Sequence, residues 1–231
     1  MTQSPVANQL EQRQIISATF DAVLFDMDGT LINSTPAVRR SWLKWGAEYG
    51  LDPSFREGGH GQPARDIVLS LIPADEVAVA FQRIQAIEIE EVGDITVLPG
   101  AAEALASIPE SRKAIVTSCT RPLAIARIAA SGIVAPAMVV TVSDVTNGKP
   151  HPEPFIAGAA ALGFDPARCL VVEDATAGLI AGRAAGCRVL GVAGTHAAAH
   201  LSADGVADLV VDRLSDLVFE ETAQGILVTR A

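Results

Sequence analysis

The sequence predicts an α/β fold, a parallel-sheet core carrying an inserted α-helical cap, and three features of the chain point to it. Short apolar runs, each closed by small or polar residues, alternate with Ala-rich stretches of helical spacing. Hydrophobic residues fill 49% of the 231 positions but aromatic ones only 4%, and a supply dominated by Ala, Val, Leu and Ile suits buried parallel strands. One connection, from Gly29 to Ala114, is far longer than the roughly dozen residues that a crossover needs.

Taken in order, the strand candidates are "AVLFDMD" (22–28), "KAIVTS" (113–118), "AMVVTVSD" (137–144), "CLVVED" (169–174) and "RVLGVAG" (188–194). Helical spacing over Pro122–Ala130, Pro154–Leu162 and Ala175–Ala185 separates the later ones and gives βαβ units with right-handed crossovers. "ADLVVDRL" (207–214) and "GILVTR" (225–230) are edge-strand candidates, the second pairing with "QIISA" (14–18). Residues 1–18 read as a tail, partly disordered or forming an edge strand. The core is expected over 19–33 and 98–231, with a helical cap over 34–97. Thr35–Tyr49, Pro63–Ile72 and Ala74–Val92 are the cap helices, punctuated by Gly50, the loop "EGGHGQP" (57–63), Pro73 and Pro99.

Composition excludes several classes of function. Seventeen basic residues oppose 27 acidic ones, a formal net charge of -10, which repels nucleic acid and anionic membranes on average. Cys119, Cys169 and Cys187 are odd in number and lack CxxC spacing, so they read as reduced, mostly buried thiols of a cytoplasmic protein. The opening "MTQSPVANQLEQRQ" has neither a basic start nor an apolar core and reads as no signal peptide. No apolar run approaches the ~18 residues of a membrane span. A monomer or weak homodimer without nucleic-acid or membrane partners is expected.

Open parallel sheets hold ligands beyond the carboxyl ends of their strands. Here those ends deliver Asp26 and Asp28, then Thr117 and Ser118, then Glu173 and Asp174, with Lys149 following the third strand in "NGKPHPEPF". An acidic cluster with one lysine and two small hydroxyls suits a hard divalent cation beside a phosphoryl group. Mg²⁺ takes oxygen ligands, usually one or two carboxylates plus substrate phosphate. Asp26 and Asp174 supply carboxylates for it, and the Asp28 backbone carbonyl a third oxygen. A partly neutralised Asp26 can attack phosphorus to give an aspartyl phosphate. Asp28, offset along the loop, can protonate the leaving alcohol and then activate water. Lys149 and a hydroxyl from Thr117 or Ser118 stabilise the equatorial oxygens. Gly29 lets the chain turn tightly beside the two aspartates.

The stretches "DMDGT" (26–30), "VTSCT" (116–120), "GKPHPEPF" (148–155) and "VEDATAG" (172–178) resemble, in order, the motifs of the haloacid dehalogenase superfamily. The resemblance covers roughly residues 21–30 and 98–196, and the insert looks like that family's smaller cap. It implies a Rossmann-like core, a nucleophile at Asp26 and an acid/base at Asp28. It also implies phosphate contacts from Thr117 and Lys149, and metal contacts from Asp174, with Glu173 orienting or completing the shell. The dehalogenase branch itself has no need of a metal or of an acid/base, so the retained aspartate pair points to phosphorus chemistry.

The expected activity is a Mg²⁺-dependent phosphatase of a small phosphorylated metabolite, a sugar or polyol phosphate. Two rivals stand beside it: a sugar phosphomutase of the β-phosphoglucomutase type, and a catalytically silent binding or regulatory member of the fold. The mutase needs a second anion site, for which Arg65 or Arg56 is available. The silent member is at odds with an intact set of motif residues. In the cap loop, His60 and Arg65 are candidates for substrate contact, with Arg56, Gln62 and Asp66 behind them. His151 reads as support for the Lys149 loop, and His196 and His200 carry no assigned role. Trp42, Trp45 and Tyr49 read as packing. Asn33 stands where relatives often carry an acidic residue.

Overall fold

A computed structural model describes residues 14–56, 64–203 and 205–231. Its centre is a six-stranded parallel sheet in the order β6-β5-β2-β7-β8-β9. The strands are β2 (Ala22–Phe25), β5 (Lys113–Val116), β6 (Val139–Val140), β7 (Cys169–Glu173), β8 (Arg188–Val192) and β9 (Leu209–Val211). The "AVLF" of β2 and the "CLVVE" of β7 are buried throughout, because both faces of the sheet are covered. Val23, Phe25, Ile115, Leu170, Val172 and Leu190 face one apolar layer, while Ala22, Leu24, Ala114, Val116, Val171 and Val189 face the other. The two-residue period of a strand thus sorts one apolar run into two cores.

Helices α4 (Ala101–Ser107) and α5 (Arg121–Ser131) cover the first face. The second is covered by α6 (Glu153–Leu162), α7 (Thr176–Ala184) and α8 (Ala198–Ala203). An antiparallel three-stranded sheet, β1 (Ala18–Phe20), β11 (Gly225–Arg230) and β10 (Leu217–Thr222), also packs on the first face, where the Phe219 ring meets that of Phe25 edge-on at 6.0 Å. The expected pairing of the C-terminal strand is shifted along the chain: Ala18, Thr19 and Phe20 pair with Val228, Leu227 and Ile226, so only Ala18 of 14–18 takes part as a strand residue.

From β2 the chain builds outward to β5 and β6, then returns to lay down β7, β8 and β9 on the other side. The order therefore reverses at β2, and the carboxyl ends of β2, β5 and β7 lie side by side there. Between β3 (Ile32–Asn33) and β4 (Thr96–Val97), which pair antiparallel, the chain forms α1 (Thr35–Glu48), α2 (Ala64–Leu71) and α3 (Val77–Glu90). These helices enclose an apolar cluster of their own around Trp42, Trp45, Val68, Ala80, Ile84 and Ile87. Trp45 is fully buried and its indole N–H donates to the Ala80 carbonyl at 2.9 Å, so Trp45 serves as packing.

The third strand candidate is much shorter than expected. Residues 142–144 turn into a 3-10 helix because Thr141 and Asp144 close a reciprocal capping box on each other's backbone. The thiols of Cys119, Cys169 and Cys187 are all free and buried. No helix among the described residues is long and apolar enough to cross a membrane.

Candidate active site

Asp26 follows the last residue of β2, and its N–H donates to the Val172 carbonyl at 2.9 Å, which ties it to the end of β7. Met27 is fully buried in the first core layer, and this anchors the loop between the two aspartates. The loop then folds back on itself through Leu31 and Ile32, whose N–H groups both donate to the Met27 carbonyl. Gly29 has φ +94°, and a Cβ there would lie 2.0 Å from Asp174 Oδ2. Glycine is required both for the turn and for the close approach of Asp174.

The carboxylates of Asp26, Glu173 and Asp174 come together so that one oxygen from each lies within 4.8 Å of the others. Lys149 meets this group from the loop before α6. Its ammonium donates to Asp26 Oδ1 at 2.7 Å, Glu173 Oε2 at 2.7 Å and the Val116 carbonyl at 2.9 Å, which uses all three of its protons. Glu173 is held further by the N–H groups of Asp174 and Ala175, and sits against Gly178, where a Cβ would be 1.9 Å from Oε2. Asp174 accepts from the Thr195 N–H at 2.6 Å and from the Thr30 hydroxyl at 3.4 Å.

Burial and mutual repulsion set the electrostatics of this group. Burial, reinforced by Glu173, pushes Asp26 up to about 7. Burial also pushes Glu173 up to about 7, with Asp174 adding to it and Lys149 opposing, and it pushes Asp174 up to about 6 with help from Asp26. Burial opposes the charge on Lys149, yet Asp26 and Glu173 more than offset it and the ammonium is held above its ordinary range. Three buried carboxylates facing one ammonium leave uncompensated negative charge, and their hard oxygens fit a small divalent cation.

Thr117 is buried at the end of β5, and its hydroxyl oxygen accepts from the Cys119 N–H at 3.1 Å. Ser118 next to it is exposed. Both line a cavity of about 1260 Å³ that also takes in Asp26, Asp28, Lys149 and Glu173 on the core side. On the insert side it is lined by Ser34, Arg39, Trp42, Asp52, Arg65 and Gln85. Arg39 and Arg65 form no hydrogen bond or ion pair among the described residues, whereas Arg40 and Arg83 are each committed to carboxylates of the insert. His60 and Gln62 lie outside the described residues. His151 accepts from the Glu153 N–H at 3.2 Å, a local contact within the loop that carries Lys149.

The Asp28 carboxylate stands outside the acidic group and has partners that the sequence did not suggest. Its Oδ1 accepts from Arg127 Nη1 at 2.8 Å, and its Oδ2 from the Cys119 thiol at 3.0 Å. Arg127 also donates from Nη2 to Glu88 of α3 at 3.0 Å. Its Nε is buried with no hydrogen-bond partner among the described residues, which ordinarily costs about 1–3 kcal/mol. The sequence holds a signal for this pair. Arg127 falls on the buried stripe of α5 with Leu123 and Ala124, and Glu88 on that of α3 with Ile84 and Ile87. Opposite charges on two core-facing stripes invite pairing.

Buried carboxylates and a lysine at the switch point of a parallel sheet, facing a cavity walled by a helical insert, define an α/β enzyme. A model of the haloacid dehalogenase-like hydrolases matches residues 20–186. Hexitol phosphatase A of Escherichia coli is 39% identical over 209 residues, covering 87% of this chain and 95% of the relative. Glycerol-1-phosphate phosphohydrolase 1 of Saccharomyces cerevisiae is 34% identical over 228 residues, covering 90% and 89%. Among solved structures, a family hydrolase from Deinococcus radiodurans with bound phosphate and sodium superposes with a TM-score of 0.63 at 31% identity, over 84% of this chain and 91% of that one. The chain belongs to the haloacid dehalogenase-like hydrolase family and is a phosphomonoester hydrolase.

Proposed function

We propose that this chain hydrolyses a small polyol or sugar phosphate with Mg²⁺ bound, through an aspartyl phosphate on Asp26. The observation that carries this is the Lys149 ammonium, 2.7 Å from both Asp26 and Glu173, with Asp174 in the same group. The relatives named for hexitol and glycerol-1-phosphate hydrolysis support the substrate class. Asp26 and Asp174 would hold the metal with the Asp28 backbone carbonyl, while Glu173 orients Lys149. The ion, when bound, neutralises carboxylate and phosphoryl charge so that an anionic nucleophile can approach.

Each chain residue then has a defined task. Asp26 attacks phosphorus as the ester oxygen leaves. Asp28 gives that oxygen a proton, and afterwards takes one from the water that cleaves the acyl phosphate. Thr117 and Ser118 offer hydroxyls to the phosphoryl oxygens, and Lys149 orients Asp26 and opposes its protonation. The insert is proposed as a cap over residues 34–97, with the core on either side, and Arg65 reads the distal end of the substrate.

Phosphate release over a panel of polyol, hexose, pentose and glycolate phosphates, with Mg²⁺ and with EDTA, tests this directly. Metal-dependent turnover of polyol or sugar phosphates is expected; absence of turnover across the panel would overturn this substrate class. One observation favours a mutase: Arg39 and Arg65 on the insert wall, without an ion pair among the described residues, could take a second phosphate. Isomerised sugar phosphate formed without free phosphate would establish it.

A further inference from the structure

We infer that Arg127 is a positioning residue for proton transfer, holding the Asp28 carboxylate with one side of its guanidinium while Glu88 of the helical insert anchors the other. This rests on Asp28 being the proton donor proposed above. The Arg127 side chain is 5% exposed and that of Glu88 7%, so the bridge lies out of bulk water and is little screened. Both oxygens of Asp28 are engaged, one by Arg127 Nη1 and one by the Cys119 thiol, and Nη1 also lies 3.2 Å from that sulfur. A planar fork contacting a carboxylate and a neighbouring thiol fixes the rotation of Asp28 as well as its place.

Two features set this bridge apart from ordinary packing between helices. The ion pairs of Arg40, Lys44 and Arg83 stay within the insert, whereas Glu88 reaches across to α5 and, through Arg127, to a site carboxylate. The guanidinium also keeps a buried Nε without a partner, a cost that an apolar contact of the same size would avoid. The position of α3 is thereby linked to the aim of Asp28, while Asp26, Lys149, Glu173 and Asp174 are held by core residues.

The test separates leaving groups. A polyol phosphate must protonate its departing alkoxide, but p-nitrophenolate leaves unaided, and kcat/KM reports steps only as far as transfer to Asp26. Arg127→Lys should lower kcat/KM for glycerol 1-phosphate, or whichever polyol phosphate is fastest in the screen, by about 30-fold, and for p-nitrophenyl phosphate by less than about threefold. Glu88→Gln, which preserves shape, should give the same split at about threefold to tenfold, and it keeps the test available if Arg127→Lys folds poorly. Asp28→Asn should show the largest split, and adding Arg127→Lys to it should cost nothing more. Equal losses on both substrates in the Arg127 and Glu88 variants, with the split intact in Asp28→Asn, would overturn the inference and leave a merely structural bridge. Absence of the split in Asp28→Asn itself would remove the proton-donor role, and the inference with it.

Discussion

Asp26 and Asp28 stand two residues apart, yet they belong to different parts of the molecule. Asp26 is bound by groups that the parallel sheet delivers: Lys149, the end of β7, and through Lys149 the last carbonyl of β5. Asp28 is bound by α5 and, one residue further, by α3 of the insert. The first setting is closed within the core, where packing of both sheet faces fixes every strand end. The second crosses between two separately packed clusters and depends on how they meet. Nucleophile and proton shuttle, as proposed here, are thus supported by different cores.

The sharpest way to break this contrast is at its centre. Asp26→Asn should lower phosphate release by about 10³-fold or more, since the amide is no nucleophile; a loss under tenfold would dissolve the distinction between the two aspartates. Lys149→Met leaves Asp26 and Glu173 without their shared buried cation, and urea denaturation at pH 8 should show a loss of about 3–5 kcal/mol. Trp45→Ala should cost about 3–5 kcal/mol, confined to the insert if hydrogen exchange speeds up in α1–α3 while β2 and β7 stay protected.

A smaller effect comes from the acidic group. The pKa of Asp174, near 6, and those of Asp26 and Glu173, near 7, lie above their values in an unfolded chain. The folded protein therefore holds more protons than the unfolded one between about pH 4 and 7, and metal-free stability should fall as pH rises through that window. Thermal melts in EDTA should show this slope, and Mg²⁺ at pH 7.5 should raise Tm, by binding the folded form alone. A flat profile unaffected by Mg²⁺ would argue against these acids as the metal site. The smallest effect is expected at the rim, where Arg65→Ala should raise KM a few-fold with kcat nearly unchanged.

The core was far more legible in the sequence than the contacts around Asp28. Unbroken apolar runs with polar ends, such as "CLVVED", announce both a central strand and what it delivers to the sheet edge, so the strand-end acids and Lys149 could be found. Strands of two residues leave no periodic trace, which is why β3 and β4 were invisible. The hairpin strand β10 did leave one: Leu217 and Phe219 point inward while Val218 is exposed, a period of two that the acidic "FEET" obscures. Arg127 and Glu88 escaped for another reason. Each is a charge on a helix whose partner lies on a helix nearly forty residues away, and only packing brings the two stripes together. The aim of a lone turn aspartate likewise depends on tertiary contacts that its local sequence does not encode.

The central claim is that Asp26 carries the phosphoryl group. Acid quenching of the Mg²⁺-loaded enzyme during turnover of a ³²P-labelled polyol phosphate, followed by peptide mapping, tests it most directly. Acid-stable, hydroxylamine-labile label is expected on the peptide containing Asp26, and none in Asp26→Asn. Label retained in that variant, or found only on another residue, would contradict it.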